Sequence, residues 1–334
     1  MKKKSIIDIA KELNISPTTV SFILNNKAEE KRISKKLTKT VKDYVEKVGY
    51  KPSSIARSLR TGKTNTIGLM VENIANPFFG TVARKIEEEA YNHGYRILYC
   101  STDNSPEKTK DLLHVFKERK VDGYIISPPA GIEKEIESLI QADIPVVMFD
   151  REISVETDLV IINNEESTYQ GTKHLLEKFK NIGFVTLDSN QTQMISRLEG
   201  YQRAVKEAGA KEYIHRVAYS QQDEKVTKEI TAFLKNNESL DAILFATNYL
   251  VVSGLKALQK LELKIPEDIG VVAFDHHDLF ELHSPTITSI DQPINEIATK
   301  AIQLLLKRLS GKTSSPPQET ILSTVMQIRE SSKK

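Results

Sequence analysis

The chain has almost no cysteine and no long hydrophobic run. Cys100 is the single cysteine among 334 residues, which excludes an intramolecular disulfide framework and is typical of a protein in a reducing compartment. No apolar run is long enough to cross a bilayer, and the first residues become amphipathic where a signal peptide needs an unbroken apolar segment. We therefore expect a cytoplasmic protein that makes no contact with a membrane.

The residue patterns of common enzyme and metal sites are also missing. Residues 62–64, Gly-Lys-Thr, match the end of a phosphate-binding P-loop, but Arg57 stands where the upstream glycine is required. The sequence has no nucleophile elbow, no pair of zinc-binding histidines on a helix and no dinucleotide-binding glycine pattern. The acidic residues and histidines at 275–278 and 283 lack the spacing of a metal site. We therefore expect a protein without catalysis and without a metal or other cofactor.

Net charge is small for the whole chain but large within its parts. The total is +2, yet residues 1–63 contain 16 lysines and arginines against 6 aspartates and glutamates, and residues 64–334 contain 31 against 39. A basic N-terminal segment suits the phosphates of double-stranded DNA, and an acidic remainder would be repelled by them. The alternative is that the basic segment serves solubility alone.

Residues 5–26 predict two short helices joined by a sharp turn. Apolar residues recur at helical spacing in two runs that are separated at residues 14–15. Ser16 suits the N-cap of the second helix, and Pro17 suits its first position. Two such helices are typical of a helix-turn-helix, whose second helix enters the DNA major groove, although an ordinary helical hairpin is the alternative.

A third helix and a short basic segment complete this N-terminal region. Ser34 is predicted to cap an amphipathic helix that ends near Gly49. Residues 51–63 then show the pattern of a helix of fewer than ten residues, which is too short to be stable alone in water. Its arginines favour folding on DNA, where Leu59 could enter the minor groove, while a flexible linker is the alternative.

From Thr66 onward, short apolar runs alternate with amphipathic helices. This alternation predicts a doubly wound α/β sheet with helices on both faces, and it repeats after Asn163, where a helix is predicted for residues 167–179. Two such sheets imply a cleft between two lobes, with ligand groups at the carboxyl ends of strands. The helix predicted for residues 293–309 must return to one of these sheets, so we expect the lobes to share crossing strands and to hinge.

Several segments occur in a specific order and spacing along almost the whole chain. They are the helix-turn-helix from residue 5, PSSIARSL, TIGLMVENIANPFFGTVARKIEEEAYNHGY, SRLEGY, IPEDIGVVAFD and TSIDQP. Together they resemble the lac repressor and purine repressor family of bacterial transcription regulators. The resemblance implies a homodimeric repressor of a carbohydrate or related metabolic operon, with a core similar to periplasmic sugar-binding proteins. That core would bind a sugar, a sugar phosphate or a similar metabolite and thereby control operator binding.

The same resemblance implies the domain boundaries. Residues 1–50 would form the helix-turn-helix domain, and residues 51–63 the hinge helix and linker. Residues 64–334 would form the core for effector binding and dimerisation. Its first lobe would comprise residues 64–162 and 292–322, and its second lobe residues 163–291 and 323–334.

The resemblance also assigns residues to the DNA. Many family members have arginine where this chain has Phe22, and phenylalanine can contact only apolar groups such as the thymine methyl. At the base pair that this position contacts, we therefore expect the chain to prefer a different base from most family members. We expect Lys31 and Arg32 to contact phosphates. The implied DNA-binding residues are Ser16, Pro17, Thr18, Thr19, Ser21, Phe22, Asn25, Lys31, Arg32, Ser54, Ala56, Arg57 and Leu59.

Polar and aromatic residues that follow the predicted strands are the candidates for effector binding, and local capping or a surface ion pair is the alternative for each. The resemblance gives most weight to Arg197 and Asp275, a pair that family members use to hold polar groups of the effector. This chain has Asn248-Tyr249 where the family usually has Asn-Asp, so one carboxylate is absent. The implied effector-binding residues are Asn76, Phe78, Phe79, Ser127, Asp150, Arg151, Arg197, Tyr219, Asn248, Asp275 and Gln292.

Two other classes of protein would fit the core alone. One is a solute-binding receptor without a DNA function, and the other is an enzyme on the same fold. The missing signal peptide and the basic N-terminal segment argue against the receptor, and the missing catalytic residues argue against the enzyme.

Overall fold

The structure is a computed structural model that describes residues 4–50, 62–218, 223–311 and 315–333. The chain divides into two compact units, residues 1–64 and residues 65–334. The hinge residues Ser54, Ala56, Arg57 and Leu59, together with Tyr219, lie outside the described residues, so the predictions for them stay predictions.

The N-terminal unit contains three helices, and their caps follow from the local sequence. These are α1 (Ile6–Glu12), α2 (Pro17–Leu24) and α3 (Lys35–Lys47). The Ser16 hydroxyl accepts a hydrogen bond from the Thr19 N–H at 3.0 Å, and the Ser34 hydroxyl accepts one from the Leu37 N–H at 3.2 Å. Both predicted caps are therefore confirmed, and Pro17 takes the first position of α2. A small buried cluster of Ile9, Ala10, Val20, Ile23 and Val41 holds the three helices together.

The second unit is built from two six-stranded sheets, and the predicted fold class is confirmed. The first sheet has the order β2-β1-β3-β4-β5-β11, and all its strands are parallel. Its strands are β1 (Thr66–Val71), β2 (Arg96–Ser101), β3 (Gly123–Ile126), β4 (Val146–Phe149), β5 (Asp158–Ile162) and β11 (Glu319–Leu322).

The second sheet has the order β7-β6-β8-β9-β10-β12, and only β12 runs antiparallel to its neighbour. Its strands are β6 (Ile182–Leu187), β7 (Tyr213–Val217), β8 (Ala242–Phe245), β9 (Gly270–Phe274), β10 (Thr288–Asp291) and β12 (Val325–Gln327). We call each sheet with its helices a lobe.

Helices connect the strands of both sheets. They are α4 (Pro77–Asn92), α5 (Pro106–Glu118), α6 (Glu133–Gln141), α7 (Asn164–Leu176), α8 (Thr192–Glu207), α9 (Asp223–Asn236), α10 (Asn248–Lys260), α11 (Leu279–Leu282) and α12 (Ile294–Leu309). A short 3₁₀ helix follows at Glu330–Ser332. No helix among the described residues is long and apolar enough to cross a membrane.

The chain passes between the lobes three times, as expected for a hinged pair. It crosses after β5 into α7, after β10 into α12, and between β11 and β12. The late helix α12 packs on α4 and on β3, β4 and β5 of the first lobe. Three crossing segments are the arrangement expected of a hinge between two lobes.

The predicted start of α7 was wrong. The helix begins at Asn164, one turn before Ser167, and it ends at Leu176. The Ser167 hydroxyl donates to the backbone oxygen of Asn163 at 2.7 Å, as a serine inside a helix does, and it caps nothing.

Candidate functional site

Helix α2 has one face in the core of the N-terminal unit and another toward solvent. Val20 and Ile23 are buried, while Ser16, Pro17, Thr18 and Asn25 are exposed and Thr19, Ser21 and Phe22 are partly exposed. The Asn25 amide donates to the backbone oxygen of Ser21 at 2.7 Å. The exposed face is therefore short, polar and ordered by its own hydrogen bonds, apart from one aromatic ring.

The loop after α2 places a lysine beside that ring. The Lys31 ammonium nitrogen lies 5.6 Å from the centroid of the Phe22 ring and 2.8 Å from a carboxylate oxygen of Glu30. The loop is fixed by hydrogen bonds from the Lys27 N–H to the Phe22 oxygen at 2.9 Å and from the Lys31 N–H to the Lys27 oxygen at 3.0 Å. Lys31 therefore lies beside α2, and both Lys31 and Arg32 are exposed.

In the first lobe, a buried cluster surrounds Arg151 at the carboxyl ends of β1 and β4. Its Nε donates to Asp150 Oδ2 at 2.9 Å, its Nη2 donates to Glu72 Oε2 at 2.7 Å, and its Nη1 donates to Asn104 Oδ1 at 2.6 Å. The Ser127 hydroxyl donates to Asp150 Oδ2 at 3.0 Å. Burial tends to lower the pKa of Arg151, but Asp150 and Glu72 outweigh it and raise that pKa, so the guanidinium keeps its charge.

In the second lobe, Arg197 extends from α8 over the ends of β8 and β9. Its Nε donates to Asn164 Oδ1 at 2.8 Å and its Nη1 to the backbone oxygen of Ala246 at 2.6 Å. The guanidinium carbon lies 3.6 Å from the centroid of the Phe274 ring. Since stacking on an aromatic face and two hydrogen bonds fix the group, Arg197 is a rigid part of the site.

Asp275 follows β9 and lies close to Arg197. Arg197 Nη1 is 3.9 Å from Asp275 Oδ2, while Gln292 Nε2 donates to Asp275 Oδ1 at 2.6 Å. Burial lowers the pKa of Arg197 and raises the pKa of Asp275, because each charged form loses water, and the opposite charge of the partner opposes both shifts.

The two clusters face one cleft between the lobes. The free volume between its lining side chains is only about 40 Å³, well below the usual range for ligand pockets. Three polar contacts cross between the lobes: Gln191 Nε2 to Asn104 Oδ1 at 3.1 Å, the Glu152 N–H to Thr192 Oγ1 at 3.3 Å, and the amides of Asn76 and Asn248 at 3.4 Å. The cleft is therefore narrow and the lobes are closed.

Most of the residues predicted for the effector meet in this cleft. Those that line it are Asn76, Phe78, Phe79, Asp150, Arg151, Arg197, Asp275 and Gln292. Ser127 does not line the cleft, but its hydroxyl donates to Asp150, which does. Asn248 does not line the cleft; it is 1% exposed, and its side-chain amide lies 3.4 Å from that of Asn76, which does.

The prediction from sequence missed several lining residues. They are Glu72, Leu187, Gln191, Gln193, Met194, Thr247 and Tyr249. Glu72 and Thr247 carry the signal that identified Asp150 and Asp275, since each follows an apolar strand closely. Gln191, Gln193 and Met194 lie at and just before the start of α8, and no sequence pattern marks them. Within the described residues, no group of three or more histidine, cysteine, aspartate or glutamate side chains is arranged to hold a metal ion.

A helix-turn-helix unit followed by a two-lobed ligand-binding core defines a ligand-responsive DNA-binding regulator. Residues 5–53 match the family of bacterial regulatory proteins of the lacI type, and residues 172–332 match the periplasmic binding protein-like domain. The ribose operon repressor of Halalkalibacterium halodurans is 30% identical over 98% of this chain and 97% of its own length. The chain belongs to the lacI family of bacterial transcription regulators, which confirms the resemblance.

Solved structures share the architecture. The lac repressor dimer bound to operator and the anti-inducer ONPF superposes with a TM-score of 0.87 at 19% identity, over 99% of both chains. A LacI family regulator from Enterococcus faecium with bound ribose has a TM-score of 0.72 at 26% identity, over 80% of this chain and 98% of that one.

Proposed function

We propose that this chain represses a carbohydrate operon and that a sugar bound between the lobes controls its affinity for the operator. The observation that carries the proposal is the pair of buried clusters around Arg151 and Arg197, which face one closed cleft in a chain that begins with a helix-turn-helix. The ribose operon repressor and the ribose-bound regulator described above support a sugar as the effector.

We assign DNA recognition to the exposed face of α2 and to the loop that follows it. Lys31 and Arg32 would contact phosphates, and residues 54–59 would enter the minor groove as a short helix. A single head of three helices covers too little DNA for physiological specificity, so we infer a homodimer on a near-palindromic operator. In this role the chain works in the cytoplasm as a binding protein and catalyses no reaction.

We assign effector binding to the strand-end residues of both lobes. A hydroxyl-bearing ring held between Asp150 and Asp275 would bridge the lobes and stabilise the closed cleft. Closure would change the separation of the two linkers of a dimer. The helix predicted for the linker would be too short to be stable alone, so a coupling of about 1–3 kcal/mol between effector and DNA would be sufficient to shift its folding.

The test is binding of the full chain to a genomic fragment library at moderate salt, with and without a panel of free sugars. We expect selection of a near-palindromic site and a change in its affinity with at least one sugar. As a control, the variant Thr18→Ala/Ser21→Ala changes two exposed or partly exposed side chains of α2 and should lose selection while it keeps the sugar response in thermal unfolding. Failure of the unaltered chain to select any site would contradict the proposal.

A further inference from the structure

The positive groups of the cleft are already paired within the protein. Arg151 is 3% exposed and all three of its nitrogens donate to side chains of the first lobe, of which Glu72 and Asp150 are carboxylates. Arg197 is 2% exposed, donates to Asn164 and to Ala246, and lies near Asp275. An incoming anion would have to displace these partners from buried guanidinium groups.

One of the helix N-termini at the cleft already has an acceptor. The Phe78 N–H at the start of α4 donates to Asn76 Oδ1 at 3.0 Å. The N-cap side chains of α8 and α10, Gln191 and Thr247, accept no such bond. At α4, a phosphate would therefore compete with Asn76 for an N–H group.

The cleft has an excess of negative charge and of hydrogen-bond acceptors. Three carboxylates, from Glu72, Asp150 and Asp275, line it against two guanidinium groups. Among the described residues, Gln193 Oε1 and Thr247 Oγ1 are buried without a hydrogen-bond partner, and both side chains line the cleft. Buried polar atoms of this kind are normally satisfied, and here a ligand that donates hydrogen bonds would satisfy them.

We propose that Glu72 makes this cleft select uncharged, hydroxyl-rich effectors over their phosphorylated counterparts, because it holds the Arg151 guanidinium that would otherwise receive a phosphate. The inference rests on the proposed function, since it requires that a small molecule binds in the cleft. Glu72 acts through Arg151 and is a positioning residue. With Glu72 in place, a phosphate dianion would be buried beside three carboxylates, and its desolvation would be poorly compensated.

The test compares matched pairs of ligands on the full chain. Free and phosphorylated forms of ribose, xylulose and glucose are titrated by calorimetry against the unaltered protein, Glu72→Gln and the control Glu118→Gln, which changes an exposed residue of α5. For any sugar that binds, we expect the phosphorylated form to bind the unaltered protein at least about tenfold more weakly. Glu72→Gln keeps the shape but frees Arg151, so this ratio should fall at least about tenfold, mainly through tighter binding of the phosphorylated form.

Each outcome of these titrations either supports or overturns the proposed role of Glu72. A purely structural role of Glu72 would weaken both members of a pair together and leave the ratio unchanged, which would overturn the proposal. Tighter binding of a phosphorylated sugar to the unaltered protein would also overturn it while the proposed function stands, and this comparison applies even if Glu72→Gln does not fold. If neither member of any pair binds, the proposed sugar effector fails and this inference fails with it.

Discussion

At the residue scale, Phe22 and Lys31 form the one aromatic and cationic contact of α2 with its loop among the described residues. Phe22→Arg would supply two parallel N–H donors that match the O6 and N7 acceptors of guanine. We expect the preferred operator to change at one base pair toward G·C, by about 1–3 kcal/mol, with no change in the free energy of unfolding. Selection from randomised duplexes, followed by titration of the selected site, measures this change.

Lys36→Gln is the matched control for that experiment, because Lys36 is exposed in the first turn of α3. It should weaken all duplexes alike and reduce the slope of log affinity against log salt by about 1, as the loss of one phosphate contact does. A Phe22→Arg variant that selects the same base pairs as the unaltered chain would show that Phe22 does not face the bases.

Single residues also show how far the sequence could predict the site. Asp150 and Asp275 were identifiable because each follows a strand of apolar residues, and the ends of parallel strands converge. Glu72 obeys the same rule but was overlooked, since its role depends on Arg151, which is distant in sequence and 2.7 Å away in the fold. Gln191 and Gln193 were not predictable, because their positions depend on how the second lobe closes on the first.

At the element scale, the glycine of the SRLEGY segment lets two helices approach closely. A Cβ atom on Gly200 of α8 would lie 2.1 Å from the backbone oxygen of Glu165 and 2.9 Å from the backbone nitrogen of Tyr169, both on α7. Alanine is intrinsically better than glycine in a helix by about 1 kcal/mol. The backbone contact outweighs that gain, because α7 can yield only by moving as a whole.

We therefore predict that Gly200→Ala lowers the free energy of unfolding by about 1–3 kcal/mol, the usual cost of overpacking. Urea unfolding of the full chain measures the difference. Lys206→Ala, at an exposed position of the same helix, should be neutral or slightly stabilising. Equal stability of Gly200→Ala and the unaltered chain would mean that the two helices separate at no cost.

Elements differ in how well the sequence predicted them. Strands such as β1 and β6 were identified because six consecutive residues are almost entirely apolar and buried on both faces. β5, β10, β11 and β12 were not predicted. β11 and β12 have four and three residues at the sheet edges and alternate between partly buried and exposed positions. Local hydrogen bonding explains the successes at α2, where Ser16 and Pro17 fix the helix start without any tertiary contact.

At the scale of the whole molecule, the closed cleft is held partly by hydrogen bonds between the lobes. Gln191 Nε2, which belongs to the second lobe, donates to Asn104 Oδ1, which also accepts from Arg151. This contact exists only when the lobes are closed. Gln191→Ala should therefore favour opening of the lobes. It should weaken effector binding by the free energy of one hydrogen bond, about 0.5–1.5 kcal/mol, which corresponds to a roughly two- to twelvefold loss of affinity.

Under the proposed function, closure of the lobes links the cleft to DNA, so the same variant makes a second prediction. If the effector changes operator affinity by a certain factor, the operator must change effector affinity by the same factor, because the coupling free energy belongs to both sites. Because Gln191 also lines the cleft, operator affinity is measured without effector, and the variant should move it toward the value of the open form. Calorimetry for the effector and duplex titration for the operator give both quantities. Gln170→Ala is the control, since Gln170 is exposed and its amide donates to Glu166 within its own helix. If Gln191→Ala changes operator affinity without any change in effector affinity, Gln191 does not act through closure of the lobes. That result would refute the proposed coupling between effector and operator binding.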